Sequence, residues 1–561
     1  MSLFASLVPV LGIGPPRLRA SPMRRPLALL AAVAVFATVP AAAPGSAQQT
    51  LAPLPAAATF VINGRGWGHG VGMSQYGAYG YAQHGYTYQE ILAHYFPGTD
   101  LTTVPKSRVR VLLAVNAAKL KISSAADFTA KDANGVTHQV AAGTYTLTPA
   151  LKLAVDGAQK PVALAQPVLF QPGAAPLALA RRYRGSIQVD LSNGKLRAIN
   201  VVGLEQYLYG VVPSEMPFQW SPQALDAQAV AARSYALATR RPTGAFDLYP
   251  DTRSQVYLGI DHEKPTTTAA VDATSGQVVT YDGAVATTYF FSTSGGKTAS
   301  AQDVWGKAVP YLVSVPDPYD SISPYHTWGP VALTGAKLGR LLHAGGAVTD
   351  AATTLNSSGR VATMNVLTAH GEKSFDANTL RSVLGLRSTW FKVGTLALGT
   401  PGAAVSYGSA AQLPGVVRGL ADVSLQQRNG TAWQTVGAVS PAKDGTIAVS
   451  VKPTATSYYR LSVGKAATAV ARVPVAPLVR LTPPRTQTDL RGTVRPILPG
   501  VAVAIQLEQG SKWVTVAHTT LTTSGTFDAQ LQLADGTYRA RVAPGHGLVA
   551  GVSSILQVSS S

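Results

Sequence analysis

Apolar positions along this chain follow first a mixture of helical and strand-like periods and then, beyond about residue 400, a strand period alone. In the first part "YTYQEILAHYF" has helical spacing, begins at Thr87 with Glu90 three places on, and stops before Pro97-Gly98, which predicts a helix opened by a capping box. "RVRVLLAV" (108–115) is a continuous apolar run of the length of a buried strand. "GSIQVDLSNGKLRAINVV" (185–202) alternates on both sides of Asn193-Gly194, the pattern of a hairpin with a two-residue turn. "SPQALDAQAVAARSYALATRR" predicts the best helix of the chain, with Ser221 at the N-cap, Pro222 in the first turn and Arg240-Arg241 at the negative end of the dipole. Strands and helices thus alternate over residues 60–395, an α+β domain. The later part repeats itself: "VSLQQRNGTAWQTV" (423–436) aligns with "VAIQLEQGSKWVTV" (503–516), Trp433 matching Trp513 and Tyr459-Arg460 matching Tyr538-Arg539. The repeat predicts two small all-β sandwich modules, 405–475 and 480–561, either spacers or wall-binding units.

The N-terminus changes the setting. Arg24-Arg25, an apolar stretch from Leu27 to Val39 and small residues up to Ala47 read as a signal peptide over 1–47, with Met23 a possible true start. No later run is long and apolar enough to predict a stable membrane span. There is no cysteine, which removes disulfides, thiolate metal sites and a lipid-anchored cysteine. The expectation is a secreted or cell-wall-associated protein. A net charge of +19 favours anionic partners, but only 13% of residues are charged. Without basic arms, zinc fingers or a basic zipper, nucleic acid is not an expected partner.

One stretch fits none of these periods: "GRGWGHGVGMSQYGAYGYAQHG", residues 64–85. Glycine at this density implies positive φ angles or a backbone lying close against something. The Lys-Ser/Thr ending of a phosphate loop is missing, and no acid follows at the spacing of a ribose-binding residue. A tight turn and a ligand-approach loop both stay open, with His69, Ser74 and Gln75 the hydrogen-bonding groups. His84, His94, His262 and His326 have no paired metal-ligand spacing, so no metal and no cofactor are expected.

"LEQYLYGVVPSEMPFQWSPQALDAQAVAARSYAL" (204–237) closely resembles the signature of the stage II sporulation protein D family, SpoIID/LytB. "YFFSTSGGKTASAQDVW" (289–305), "YLVSVPDPYD" (311–320), "LRSVLGLRSTWFKV" (380–393) and "GWGHGVGMSQYGA" resemble other landmarks of that family. Two features depart from it. The Gly-His-Gly loop, which usually closes the domain, opens it here, as in a circular permutation. Phe291 and Ser294 also stand where relatives often carry metal-binding His and Cys, so metal dependence is not carried over.

The resemblance implies a protein acting on peptidoglycan: a lytic transglycosylase that cleaves glycan strands, with a preference for strands stripped of peptides. It also implies a rival, a non-catalytic amidase enhancer that binds the wall and a cell-wall amidase; a third reading is a wall-adhesive structural protein. Glu215, in "PSEMP", matches the family's catalytic acid. One glutamate suffices for this chemistry, first as acid to the bridging oxygen and then as base toward the sugar's own C6 hydroxyl. Read without the motif, the same residue is a capping or salt-bridged glutamate. His69, Ser74 and Gln75 are expected to offer hydrogen bonds to the approaching sugar, Gln228 and Tyr235 to line the groove, and Arg233 to be a structural anchor or a substrate clamp. Glu205 is expected as a structural residue on a strand-to-loop approach, and Asp226 on a helix surface or in its first turn.

Overall fold

The computed structural model describes residues 57–559, so the expected signal peptide lies outside the described residues. An antiparallel six-stranded sheet takes the strands in the order 108–117, 195–203, 186–192, 168–171, 128–131 and 137–140. Its second and third strands form the expected hairpin, turned at Asn193 and Gly194 with φ of 51° and 72°, the left-handed values a two-residue turn demands.

Helices cover one side of this sheet. Helix α1 spans Gln75–Gln83 and α2 spans Tyr88–Tyr95. The Thr87–Glu90 capping box of α2 is formed, with Thr87 N–H donating to Glu90 at 2.8 Å. Helix α3 spans Leu204–Glu215, α4 Pro222–Thr239 and α5 Pro265–Ala273. Tyr207, Leu208, Val211 and Val212 of α3 and Ala229, Ala232 and Ala236 of α4 join Val109, Val189, Ala198 and other sheet residues in one core. The opposite face of α4, with Ala227, Val230 and Ala231, packs on Val71, Met73, Ile91 and Tyr95. A helix covered on both faces has no polar side, and α4 accordingly buries Asp226, Gln228, Arg233 and Ser234 as well. Its alanines let the neighbouring elements approach closely.

A second, five-stranded sheet ties the ends of the first part together. It orders strands 327–334, 59–65, 391–398, 411–418 and 446–451. Strand 59–65 runs antiparallel to both its neighbours, Thr59 facing Thr334 on one side and Leu396 on the other. The sheet therefore runs straight through the boundary expected between residues 395 and 405. Leu396 and Leu398 share a core with Leu413, Ile447, Leu425 and Leu461. Strands between 478 and 558 enclose another core around Val494, Ile505, Phe527 and Tyr538.

The sequence repeat recurs in space. Arg460 Nε donates to Gln426 Oε1 at 2.8 Å with its guanidinium 4.2 Å over Trp433. Arg539 makes the same bond to Gln506 at 2.8 Å and lies 4.1 Å over Trp513.

Candidate functional site

Glu215 is the last residue of α3, where Met216 leaves the helix in extended conformation. The helix includes Glu205 in its first turn, which corrects the expected strand-to-loop placement. Pro213 obscured it, since proline in a helix interior costs a hydrogen bond, but here it falls in the last turn. Glu215 Oε1 accepts the Val256 N–H at 2.8 Å, and its main-chain carbonyl accepts Gln75 Nε2 at 3.0 Å. The other carboxylate oxygen has no hydrogen bond among the described residues. The carboxyl keeps some surface but is packed closely enough that desolvation pushes its pKa up to about 7, against the opposing Val256 bond. No neighbouring carboxylate contributes to that rise. Burial likewise raises the half-buried Tyr235 phenol to about 12, with smaller contributions from Tyr289 and Glu215.

Strand 59–65 delivers the Gly-rich run to this place, and the chain itself encloses it. Arg65 N–H donates to Trp390 O at 2.8 Å and Gly68 N–H to Arg387 O at 3.0 Å on one side. Trp67 and Thr293 exchange a pair of bonds on the other, and Ala299 N–H donates to Gly70 O at 2.7 Å. At Gly66, with φ of 73°, a Cβ would lie 2.7 Å from the carbonyl oxygens of Thr293 and Ser294. At Gly70, with φ of 89°, it would lie 2.7 Å from the Arg360 guanidinium carbon. The glycines thus admit the protein's own backbone and a buried arginine.

The polar groups of the loop are engaged in the same way. His69 Nδ1 accepts the Val71 N–H at 3.1 Å, so Nε2 carries the proton and donates to Phe290 O at 3.1 Å. Burial first, then Arg381 and Arg360, lowers its pKa to about 4, and the imidazole stays neutral. Ser74, fully buried, caps α1 by accepting the Gly77 N–H at 3.1 Å and donates to Asp320 Oδ1 at 2.9 Å. Gln75 reaches from the Glu215 carbonyl to Gln228 Oε1, 3.4 Å away beneath it.

These contacts sort the expected site residues. Gln75 touches the Glu215 segment directly, and Tyr235 lies within reach of its field. His69 connects indirectly: it bonds Phe290 O, whose ring lies 6.3 Å from Tyr235, and it sits 6.0 Å from Tyr289, which is 5.6 Å from Tyr235. Gln228 has no exposed surface, nor does Arg233, which holds Glu205 at 2.6 Å and donates to Val271 O and Gln277 O. A substrate clamp needs an accessible guanidinium, so Arg233's geometry is that of the anchor. Asp226 is buried rather than on the surface, and burial raises its pKa to about 6. It lies roughly 200° around α4 from Gln228.

Sequence reasoning missed Asp320. Fully buried, it accepts Ser74 Oγ, the N–H groups of Ser294 and Gly295, and His326 at 3.0 Å. It thereby joins the Gly-rich run, the "STSGG" loop and the segment after it; an acid in "DPYD" gave no sign of that role. At the "STSGG" loop Phe291 packs 5.4 Å from His69, and Ser294 Oγ accepts the Gly296 N–H at 3.0 Å. Among the described residues no cluster of three or more His, Asp or Glu has a metal-binding arrangement.

A family model described as SpoIID, Stage II sporulation protein, matches residues 192–281, a span that includes Glu215 and α4 but not the Gly-rich run. The amidase enhancer of Bacillus subtilis is 41% identical over 114 residues, 20% of this chain and 15% of that protein. The stage II sporulation protein D of Bacillus amyloliquefaciens is 36% identical over 156 residues, 25% of this chain and 45% of that one. Its Bacillus subtilis counterpart is 38% identical over 147 residues, covering 23% and 42%. Over residues 192–281 the chain thus carries a segment similar to the SpoIID family. It spans less than half the length of these curated relatives. Among solved structures, a two-domain fibronectin type III segment of chicken tenascin aligns with 29% of this chain and 97% of its own, at 12% identity and a TM-score of 0.18. A likeness at that level carries no argument. Among the described residues no helix is long and apolar enough to cross a membrane.

Proposed function

We propose that this chain is an exported peptidoglycan lytic transglycosylase that uses Glu215 as its single acid and base. The observation that carries the reading is a carboxyl with a pKa of about 7, raised by desolvation and not by a second acid. Such a group is substantially protonated at neutral pH and can deliver a proton to the departing glycosidic oxygen. Once ionised, it takes the proton of the C6 hydroxyl as that oxygen closes on the anomeric carbon. The bond to the leaving sugar breaks, an anhydro ring forms, and no water is consumed. Val256 N–H holds one carboxylate oxygen, leaving the other to exchange the proton. Hydrolysis by paired carboxylates uses a second acid across the bond, and among the described residues no carboxylate contributes to the Glu215 shift.

His69, Gln75 and Gln228 serve in this reading as supports of the Glu215 segment, and Tyr235 as the groove residue. The C-terminal strands form two all-β modules that carry or place the SpoIID-like domain on the wall. The permuted order is supported by the strand pairing: Thr59 faces Leu396, so a chain running from 398 back to 59 would need only a hairpin turn.

The similarity to an amidase enhancer favours a second reading, in which the groove binds glycan and a cell-wall amidase without cleaving. Digestion of peptide-free glycan strands separates the two. The transglycosylase reading expects anhydro ends; the enhancer reading expects intact strands and a stimulated amidase.

A further inference from the structure

Aromatic side chains line the flank of the Gly-rich run beside Gln75, which holds the Glu215 carbonyl. Trp220, five residues beyond Glu215, stacks on Tyr79 with ring centroids 4.5 Å apart and planes at 8°. It also meets Tyr76 edge-on at 4.8 Å. Tyr325 is near enough to Tyr76 to raise its phenol pKa, after the larger effect of burial. Tyr325 in turn meets Trp67 edge-on at 4.6 Å. Arg387 closes the row, its guanidinium 4.2 Å over Tyr325 and 4.8 Å over Trp67. All six side chains keep part of their surface exposed. Among the described residues Arg387 has no ion pair, although it is a cation held in fixed orientation by two rings.

We infer that this row is a set of sugar subsites, with Arg387 reading a carboxylate on the bound strand. The inference rests on the transglycosylase reading for where the strand is cut, but not for the binding itself. Pyranose rings present apolar C–H faces that lie on aromatic rings, and half-exposed Tyr and Trp with polar edges suit a wet, repetitive ligand. Arg387 adds what a neutral glycan does not need. In a peptidoglycan strand freed of its peptides, each lactyl group ends in a free carboxylate; in an intact strand it is a neutral amide. A planar guanidinium stacked at the end of the row discriminates between these states. The protein's excess of positive charge, +19, agrees with an anionic polymer as occupant.

The test measures binding of peptide-free peptidoglycan strands and of neutral chitin oligomers of equal length, in protein made silent by Glu215→Gln. Adding Tyr325→Ala should weaken both ligands about three- to tenfold, the range of one aromatic contact. Adding Arg387→Gln should weaken the carboxylate-bearing strand by about tenfold and leave chitin binding unchanged. Its stem stays packed on both rings, so this arm holds even where Tyr325→Ala fails to fold. Melting temperatures equal to the parent's separate lost binding from lost structure. Arg387→Gln that binds both ligands as the parent does, or loses both equally, overturns the carboxylate subsite. Unaltered binding in both variants overturns the row. Wild-type protein that makes no anhydro ends, while the added Tyr325→Ala and Arg387→Gln changes still show these binding losses, refutes the transglycosylase reading and leaves the subsites standing.

Discussion

Above about pH 7 Glu215 loses its proton, and with it the acid on which the proposed reaction depends. The account therefore expects kcat/KM for glycan cleavage to fall as pH rises through about 7, and Glu215→Gln to lower turnover by roughly a hundredfold or more. The same shift sets a stability effect of opposite benefit. A carboxyl whose folded pKa lies above its unfolded value of 4.5 loses stabilisation as pH rises from there through about 7. Glu215→Gln should accordingly melt higher than the parent at pH 8, with the difference vanishing below pH 4.5. Equal melting at pH 8 would show that the carboxyl is not desolvated. His69 shifts the other way, to about 4, so it contributes to unfolding as pH falls from 6.5 through 4. Phe291 cannot ligate a metal and the buried Ser294 hydroxyl is a poor ligand, so cleavage should survive a chelator; loss of activity restored by added zinc would contradict this.

Among the elements, the Gly-rich run supports the sharpest stability prediction. Gly70→Ala meets both a positive φ and the Arg360 guanidinium, and should cost well over 1 kcal/mol in denaturant unfolding. Gly85→Ala is a control: it also has a positive φ, but nothing lies within 4 Å of its Cβ, so only the backbone strain remains. The density of glycines told of close approach, but not that the approaching groups were Thr293, Ser294 and Arg360, which lie more than 200 positions away in sequence. Local signals fared well where the structure is local: the Thr87–Glu90 box, the Asn193-Gly194 turn and the bounds of α4 were legible, although Ser221 at its N-cap makes no side-chain capping bond. Helix α3 was not, because Pro213 outweighed the apolar spacing around it. Nor was the burial of Gln228 and Arg233, since a helix packed on both faces hides its inner side from periodicity. The motif singled out Glu215 as the candidate acid, whereas its partner Val256 offers only a backbone N–H, which no side-chain pattern reveals.

Across the whole molecule, the five-stranded sheet makes the first part depend on the strands that follow it. Val61, Leu396 and Leu398 are buried against Leu413, Val417 and Ile447. A chain ended at residue 400 should therefore expose this face and aggregate, whereas one ended at 476 keeps the sheet and should remain folded, as measured by cooperative thermal unfolding. Strand pairing between 391–398 and 411–418 carries no local sign, and this is why the composition change near 400 suggested a cleaner division than the sheet allows. The central claim, that a single desolvated glutamate cuts glycan strands without water, is tested most directly by weighing the products. Peptide-free strands digested by the parent should yield fragments one water lighter than hydrolysis products, and Glu215→Gln should yield almost none. Fragments of hydrolytic mass, or anhydro fragments made equally well by Glu215→Gln, would contradict it.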